Sequence, residues 1–327
     1  MKRIIYLDTI TGLLIIHMVW GHILRFANLV NTDLYHYSSL LFSFFMPWFF
    51  FKSGMFLHSD WLKTIQKSIK SLLIPFVKFS LIGVLVKIGI DSVMESDFTI
   101  DNCVVDNLRF FFWNGSFSGN QPLWFLLSLC FVRVLGSLIL KLSLSISFSW
   151  QLLVLIGVCA FIMAFFLHGK ICPLTIQNCS AGLFFFLMGY LFRNAQFKNR
   201  IGIASLLLYI SICCIYPVVI DMRGNSVEFG SYVIWPFSSL TGIIAMNYVF
   251  KRIPVTCSCL SKIGEKSLFV YVWHWIPLIV TQFANNTILR IEEPIELLFI
   301  YTFACVSFLF ILYYMKIILL SNKYVRV

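Results

Sequence analysis

The run Ile5-Tyr6-Leu7-Asp8-Thr9-Ile10-Thr11-Gly12-Leu13-Leu14-Ile15-Ile16-His17-Met18-Val19-Trp20-Gly21-His22 decides how the rest of the chain is read. It is apolar apart from one carboxylate and two imidazoles, and it continues to Ala27. A helix needs about 20 apolar residues to cross a bilayer, so this segment reads as a first membrane span. Ionisable groups at membrane depth are costly and usually face a bundle interior or a wet cavity. At about 100° per residue, Asp8 and His22 differ by roughly 40° in azimuth. Asp8, Thr11, Gly12, Ile15, Val19 and His22 therefore form one stripe. His17 lies about 180° from Asp8 and is expected to face elsewhere. The functional expectation thus falls on Asp8 and His22, with simple packing near an interface as the alternative for either histidine.

Composition agrees with a membrane reading. Of 327 residues, 60% are hydrophobic and 12% charged, and the mean hydropathy is +0.89. A soluble domain carries about 25% charge. The expected fold is an all-α, polytopic integral membrane protein, a single transmembrane domain over residues 1–327. About ten spans are expected, near 5–27, 40–57, 72–90, 123–140, 150–167, 179–192, 201–220, 231–250, 268–283 and 297–315. The first is expected to stay attached rather than be cleaved as a signal, because its apolar run continues into a spanning helix and no small-residue cleavage site follows a short core. An even count puts both ends on one side. Cations decide which. Alternate segments hold most of them, beginning with Lys2 and Arg3 and including Lys63, Lys67, Lys70, Lys251, Arg252, Lys262 and Lys266. The opposite segments hold Arg109, Lys170, Arg223 and Arg290. The positive-inside rule then places the N- and C-termini in the cytoplasm. It also explains the net charge of +11 without a nucleic-acid partner. The ten cysteines lack zinc or redox spacing, and only Cys172 and Cys179 share an outer segment where a disulfide is possible.

Further polar residues fall inside spans. Lys52 in Phe49-Phe50-Phe51-Lys52-Ser53-Gly54 lies as far from the inner membrane end as Asp8, so an Asp8–Lys52 ion pair is one reading and snorkelling of Lys52 the other. Lys78 reads as snorkelling. Arg133 lies mid-span after Pro122-Leu123-Trp124, and implies a buried partner or bound anion. His274 lies in the ninth span, as a functional group or as a structural hydrogen-bonding one. The long outer segment 91–122 is expected to be a loop whose Phe110-Phe111-Phe112-Trp113 forms an interfacial aromatic belt or stacks on sugars. No phosphate loop, zinc motif or serine-hydrolase elbow is present.

In this order, the landmarks resemble the acyltransferase-3 family of membrane O-acyltransferases, especially its bacterial sugar and polysaccharide branch. Asp8 to Gly12 with Gly21-His22 resembles the first-helix signature. Phe45-Met46-Pro47 with Phe49 to Gly54 resembles the second. Leu73-Ile74-Pro75-Phe76, Leu123-Trp124-Phe125-Leu126, Phe184 to Tyr190, and Ile263-Gly264 through Tyr271 and His274 resemble later ones. The family commonly carries a cation immediately before the first-helix glycine; here that residue is Thr11, and Lys52 is the candidate replacement. An inactive relative acting as a partner subunit is a further reading of Thr11.

The resemblance implies a multi-pass protein of the bacterial cytoplasmic (inner) membrane. It implies transfer of an acyl group, acetyl above all, from cytoplasmic acyl-CoA to a hydroxyl of a surface glycan or its lipid-linked precursor. Acetyl-CoA would be the donor, with no permanently bound cofactor and no metal. His22 and Asp8 would be catalytic; Lys52, Ser53, Gly54, Trp124, Arg133 and His274 would bind acyl-CoA or acceptor. His22 could act as general base or carry the acyl group covalently. Asp8 and His22 are about 21 Å apart along a helix and cannot form a hydrogen-bonded dyad. The rival class is a transporter or flippase that moves a glycan or acyl donor without chemistry.

Overall fold

The computed structural model describes residues 4–57, 60–94, 97–143, 149–167, 173–193, 199–218, 222, 229–252 and 258–324. All regular structure among them is helical. Helix α1 (Ile5–Phe26) ends where Asn28 takes a left-handed φ of 59°, a conformation asparagine tolerates better than most residues. Thr32 then caps α2 (Asp33–Leu41), its hydroxyl accepting from the Tyr35 amide at 3.4 Å.

The second expected span, 40–57, is broken. Helix α2 stops at Leu41 and α3 (Phe45–Met55) is only 11 residues long. The break leaves helix-end carbonyls without intrahelical partners. Tyr209, on α10 (Asn199–Ile215), supplies one: its hydroxyl lies 3.1 Å from the Leu40 oxygen and 3.0 Å from the Leu41 oxygen.

Helix α4 (Trp61–Ser68) runs through a π-turn at Ile69–Leu73 into α5 (Ile74–Met94). The segment expected as an outer loop is instead largely helical: α6 (Ile100–Asn114) ends at Gly115, whose φ of 64° closes the turn. Glycine adopts that conformation without steric cost. A 3₁₀ segment, Ser118–Leu123, then leads into α7 (Trp124–Ser143). The chain continues as α8 (Ser149–Leu167), α9 (Ile176–Phe192), α10, α11 (Phe229–Arg252), α12 (Ser258–Glu265), α13 (Ser267–Trp273), α14 (Trp275–Ala284) and α15 (Pro294–Tyr324).

Among the described residues, seven helical runs are long and apolar enough to cross a membrane; α9 and α10 are shorter apolar helices. The protein is therefore a multi-pass helical membrane protein; of the ten spans expected, seven are full-length among the described residues, while α3 starts only after the turn at Phe42–Phe44 and the described α9 and α10 are 17 residues each. Its periphery is apolar: α15 exposes Phe299, Phe303 and Phe310, as a lipid-facing helix should. Of the two cysteines for which a disulfide was considered, Cys179 is a free thiol and Cys172 lies outside the described residues.

Two helix crossings fix the middle of the molecule, and both are made by glycine pairs. A methyl group added at Gly12 would run into the Leu260 carbonyl oxygen, and one at Gly264 into that of Asp8. These two glycines seat α1 on α12. In the same way Gly54 faces the Phe186 carbonyl and Gly189 that of Phe51, seating α3 on α9. Small residues let backbones approach where no hydrophobic force drives helices together in lipid. Aromatic rings fill the core beside them, with Trp48, Phe50, Phe185, Phe186 and Trp235 all fully buried.

Candidate active site

The two halves of α1 carry different polar arrangements. Toward its start, Lys52 of α3 extends its ammonium to the Thr11 hydroxyl, Nζ to Oγ1 2.5 Å, and lies 3.8 Å from an Asp8 carboxylate oxygen. The expected Asp8–Lys52 ion pair is thus present. Thr11 in turn donates to the Leu7 carbonyl at 2.6 Å, so its one proton and a lone pair are both used. The lysine also lies 5.1 Å from the Trp48 ring centroid. Side-chain exposure is 21% for Lys52 and 14% for Asp8, so neither charge is fully removed from solvent.

Toward its end, α1 forms one wall of a cavity of about 330 Å³. His17, Met18, Gly21, His22 and Arg25 line it from α1. Tyr35 and Ser39 of α2, Ser43 in the break, and Phe45 and Met46 of α3 form the second wall. Gln121 and Pro122 of the 3₁₀ segment, with Trp124 and Phe125 of α7, form the third; Tyr271, Trp275 and Met222 complete it. Rings alternate with hydroxyl, amide, imidazole and guanidinium groups, a lining suited to a polar molecule that also offers flat apolar faces.

His22 is held on two sides. The His274 ring stacks against it, centroids 5.3 Å apart and planes 23° apart, and Trp275 meets it edge-on at 5.2 Å. His274 is itself completely buried. Its Nδ1 lies 2.8 Å from the Tyr271 carbonyl oxygen. A carbonyl only accepts, so Nδ1 carries the proton and Nε2, which has no hydrogen-bond partner among the described residues, carries the lone pair. The Tyr271 hydroxyl donates to the Pro122 carbonyl, tying α13 to the 3₁₀ wall. Asn120 does the same through Nδ2 to the Val272 carbonyl at 3.1 Å.

His17 departs from expectation: it lines the same cavity as His22. Helical azimuth had assigned it to another surface. The cavity, however, wraps the end of α1 on two sides, and His17 packs against Phe42 at 4.8 Å and Phe45 at 5.3 Å on one while His22 meets α14 on the other.

The remaining candidates divide. Trp124 lines the cavity and His274 backs it. Asp8 and Lys52 form the separate charged knot. Gly54 faces the α9 backbone, and Ser53 is half-buried beside it; neither is among the cavity-lining residues. Arg133 lies nine residues along α7 from Trp124, about 13 Å, half-buried, with an Nε that has no described partner. Trp275, Gln121, Tyr35 and Ser39 were missed by sequence reasoning. The first two had a signal, since each directly adjoins a residue already singled out, His274 or Pro122.

The fold and its two polar sites define a polytopic membrane protein with a ligand-sized cavity, walled by His22 and backed by the buried His274. The acyltransferase-3 family model, described as an acyltransferase domain, matches residues 4–314. The chain belongs to that family, and membrane acyl transfer is its general activity. No curated protein and no solved structure gives a significant match.

Proposed function

We propose that this protein is an O-acyltransferase that moves an acetyl group from acetyl-CoA to a hydroxyl of a cell-surface glycan or its lipid-linked precursor. The observation that carries the reading is His22, held at the wall of the cavity between a stacked imidazole and an indole edge. A flat, hydroxyl-rich sugar suits the mixture of rings with Ser39, Ser43, Gln121 and Arg25 in that lining. In the reaction, a ring nitrogen of His22 takes the proton as the acceptor oxygen attacks the thioester carbonyl. The carbon–sulfur bond then breaks, and the departing thiolate recovers the proton from the imidazolium. A general base of this kind contributes about 10² to 10⁴ in rate.

The donor is assigned to the other half of α1. Lys52 offers an ammonium seated on Thr11 and balanced by Asp8. A coenzyme phosphate could draw that ammonium from the carboxylate, since charge-assisted contacts to phosphate are among the stronger hydrogen bonds. The knot and His22 are about 16 Å apart along α1, measured from Thr11. Coenzyme A, with its phosphates at one end and the thioester at the end of a long pantetheine arm, is extended enough in kind to serve both. The orientation follows the loop charges: ten passes with α3, α9 and α10 counted, both termini cytoplasmic, in a bacterial inner membrane, with Asp8 toward the cytoplasm and the cavity toward the outside.

Purified protein in lipid nanodiscs, given acetyl-CoA and a panel of glycan acceptors, tests the chemistry by mass spectrometry of acetyl esters. Ester formation supports the reading. In sealed proteoliposomes, acceptor movement into the lumen without ester formation replaces it with the transporter.

A further inference from the structure

Helix α6 has three faces, not two. Its packed face holds Asn107 and Phe111. The Asn107 side-chain Oδ1 accepts from both the backbone amide and the hydroxyl of Ser118, at 3.3 and 2.8 Å. Phe111 stacks on Phe117, centroids 4.9 Å apart and planes 11° apart. The helix is thereby fastened to the 3₁₀ segment, whose Gln121 and Pro122 wall the cavity.

A second face is apolar and exposed. Val104, Val105, Leu108 and Phe112 are 43%, 55%, 54% and 47% exposed, and they fall within about 100° of azimuth. The third face is polar and exposed: Asn102, Asp106 and Arg109 fall within about 60° of one another. Three residues break the pattern, the first being Ile100, exposed at the start of the packed sector. Asp101, in the first turn, lies in the apolar sector, and Trp113 lies in the polar one. Tryptophan is at home where hydrocarbon meets water.

No water-solvated helix keeps four large apolar side chains exposed in one sector without cause. At 15 residues, α6 is about 22 Å long, too short to cross a hydrocarbon core of about 30 Å. Asp106 and Arg109, exposed at mid-helix, exclude full immersion in that core. The preceding helix α5 also exposes apolar side chains, Leu81, Leu85, Val93 and Met94, as a lipid-facing helix does. We propose that α6 lies in the membrane–water interface of the leaflet on the cavity side, its apolar face among phospholipid acyl chains and its polar face in water. An amphipathic helix in this position is held by buried apolar area, and here it carries one wall of the cavity with it.

A dansyl amino acid placed in the full-length chain at Leu108, Phe112, Asn102 or Arg109, one at a time, tests this in phosphatidylcholine–phosphatidylglycerol nanodiscs. All four positions are exposed, so a larger side chain has room beside the helix. Brominated acyl chains should quench the probe at 108 and 112 at least twofold more than at 102 and 109. Aqueous acrylamide should give the reverse order. Equal quenching at all four positions overturns the proposal. So does a probe at 108 and 112 that neither quencher reaches, which would mean that protein, such as a second copy of the chain, covers the face.

Discussion

Gly12 and Gly21 lie nine residues apart on one helix and have opposite surroundings. A methyl group at Gly12 would strike the Leu260 carbonyl, whereas one at Gly21 meets nothing within 4 Å. The first glycine lets two backbones touch and closes the interior around the charged knot of Asp8, Thr11 and Lys52. The second leaves room and lines the cavity. One helix is thus a packing element over its first half and a cavity wall over its second. Substitutions in the two halves should therefore fail in different ways.

The largest expected effect is on folding. Gly12→Ala forces one backbone away from another, which costs about 1–3 kcal/mol on the overpacking scale, toward its upper end because the clash is with backbone. It should lower the thermal unfolding midpoint in detergent, whereas Gly21→Ala should leave that midpoint in place. Equal midpoints for the two variants would break the comparison.

Next in size is the charged knot. Lys52→Ala should weaken acetyl-CoA binding by about tenfold to a hundredfold, the value of a charge-assisted contact. Thr11→Arg introduced beside it should recover part of the loss, since both side chains supply a cation at the same place. Isothermal titration with acetyl-CoA reads both. Unchanged affinity in Lys52→Ala removes the knot from the donor site.

His17 sharpens the other half. It supports the cavity wall against Phe42 and Phe45, so His17→Ala should raise the acceptor KM by up to about tenfold while kcat changes little, the pattern of lost uniform binding. A fall in kcat matching that of a His22 variant would make His17 a second reacting group. Smallest of all, Gly21→Ala narrows the cavity by one methyl group. It should shift acceptor KM a few-fold, since a single methyl-sized change in a pocket is worth about 1–3 kcal/mol at most.

The sequence carried the fold class because apolar length and charge depletion are one-dimensional properties. It also carried the Asp8–Lys52 pair, because matching depth in two neighbouring spans can be counted along the chain. It did not carry the break between α2 and α3. That break is sustained by the Tyr209 hydroxyl, which lies more than 160 residues away in sequence. Nor did it carry the role of His17. A helical wheel gives an azimuth but not how far a cavity reaches around the helix. The cavity itself is assembled from separate pieces, α1, α2, α3, the 3₁₀ segment and the Tyr271–Trp275 region among them, and no spacing rule links them. Segment 91–122 read as a loop because Asp91, Glu95, Asp97, Asp101 and Asp106 break up its apolar residues, and such acids are equally at home on the wet face of a short helix.

The central claim is that His22 performs acyl transfer and that the knot at the other half of α1 holds the donor. Both histidine variants share the same helix, so general damage to it would appear in either. The direct measurement is the rate of acetyl ester formation by purified His22→Ala protein with acetyl-CoA and an acceptor glycan, alongside its acetyl-CoA affinity. The account expects a rate loss of about 10² to 10⁴ with acetyl-CoA affinity within about twofold of the parent. Near-parent acetylation by His22→Ala would contradict it, and would move the chemistry to another group in the cavity.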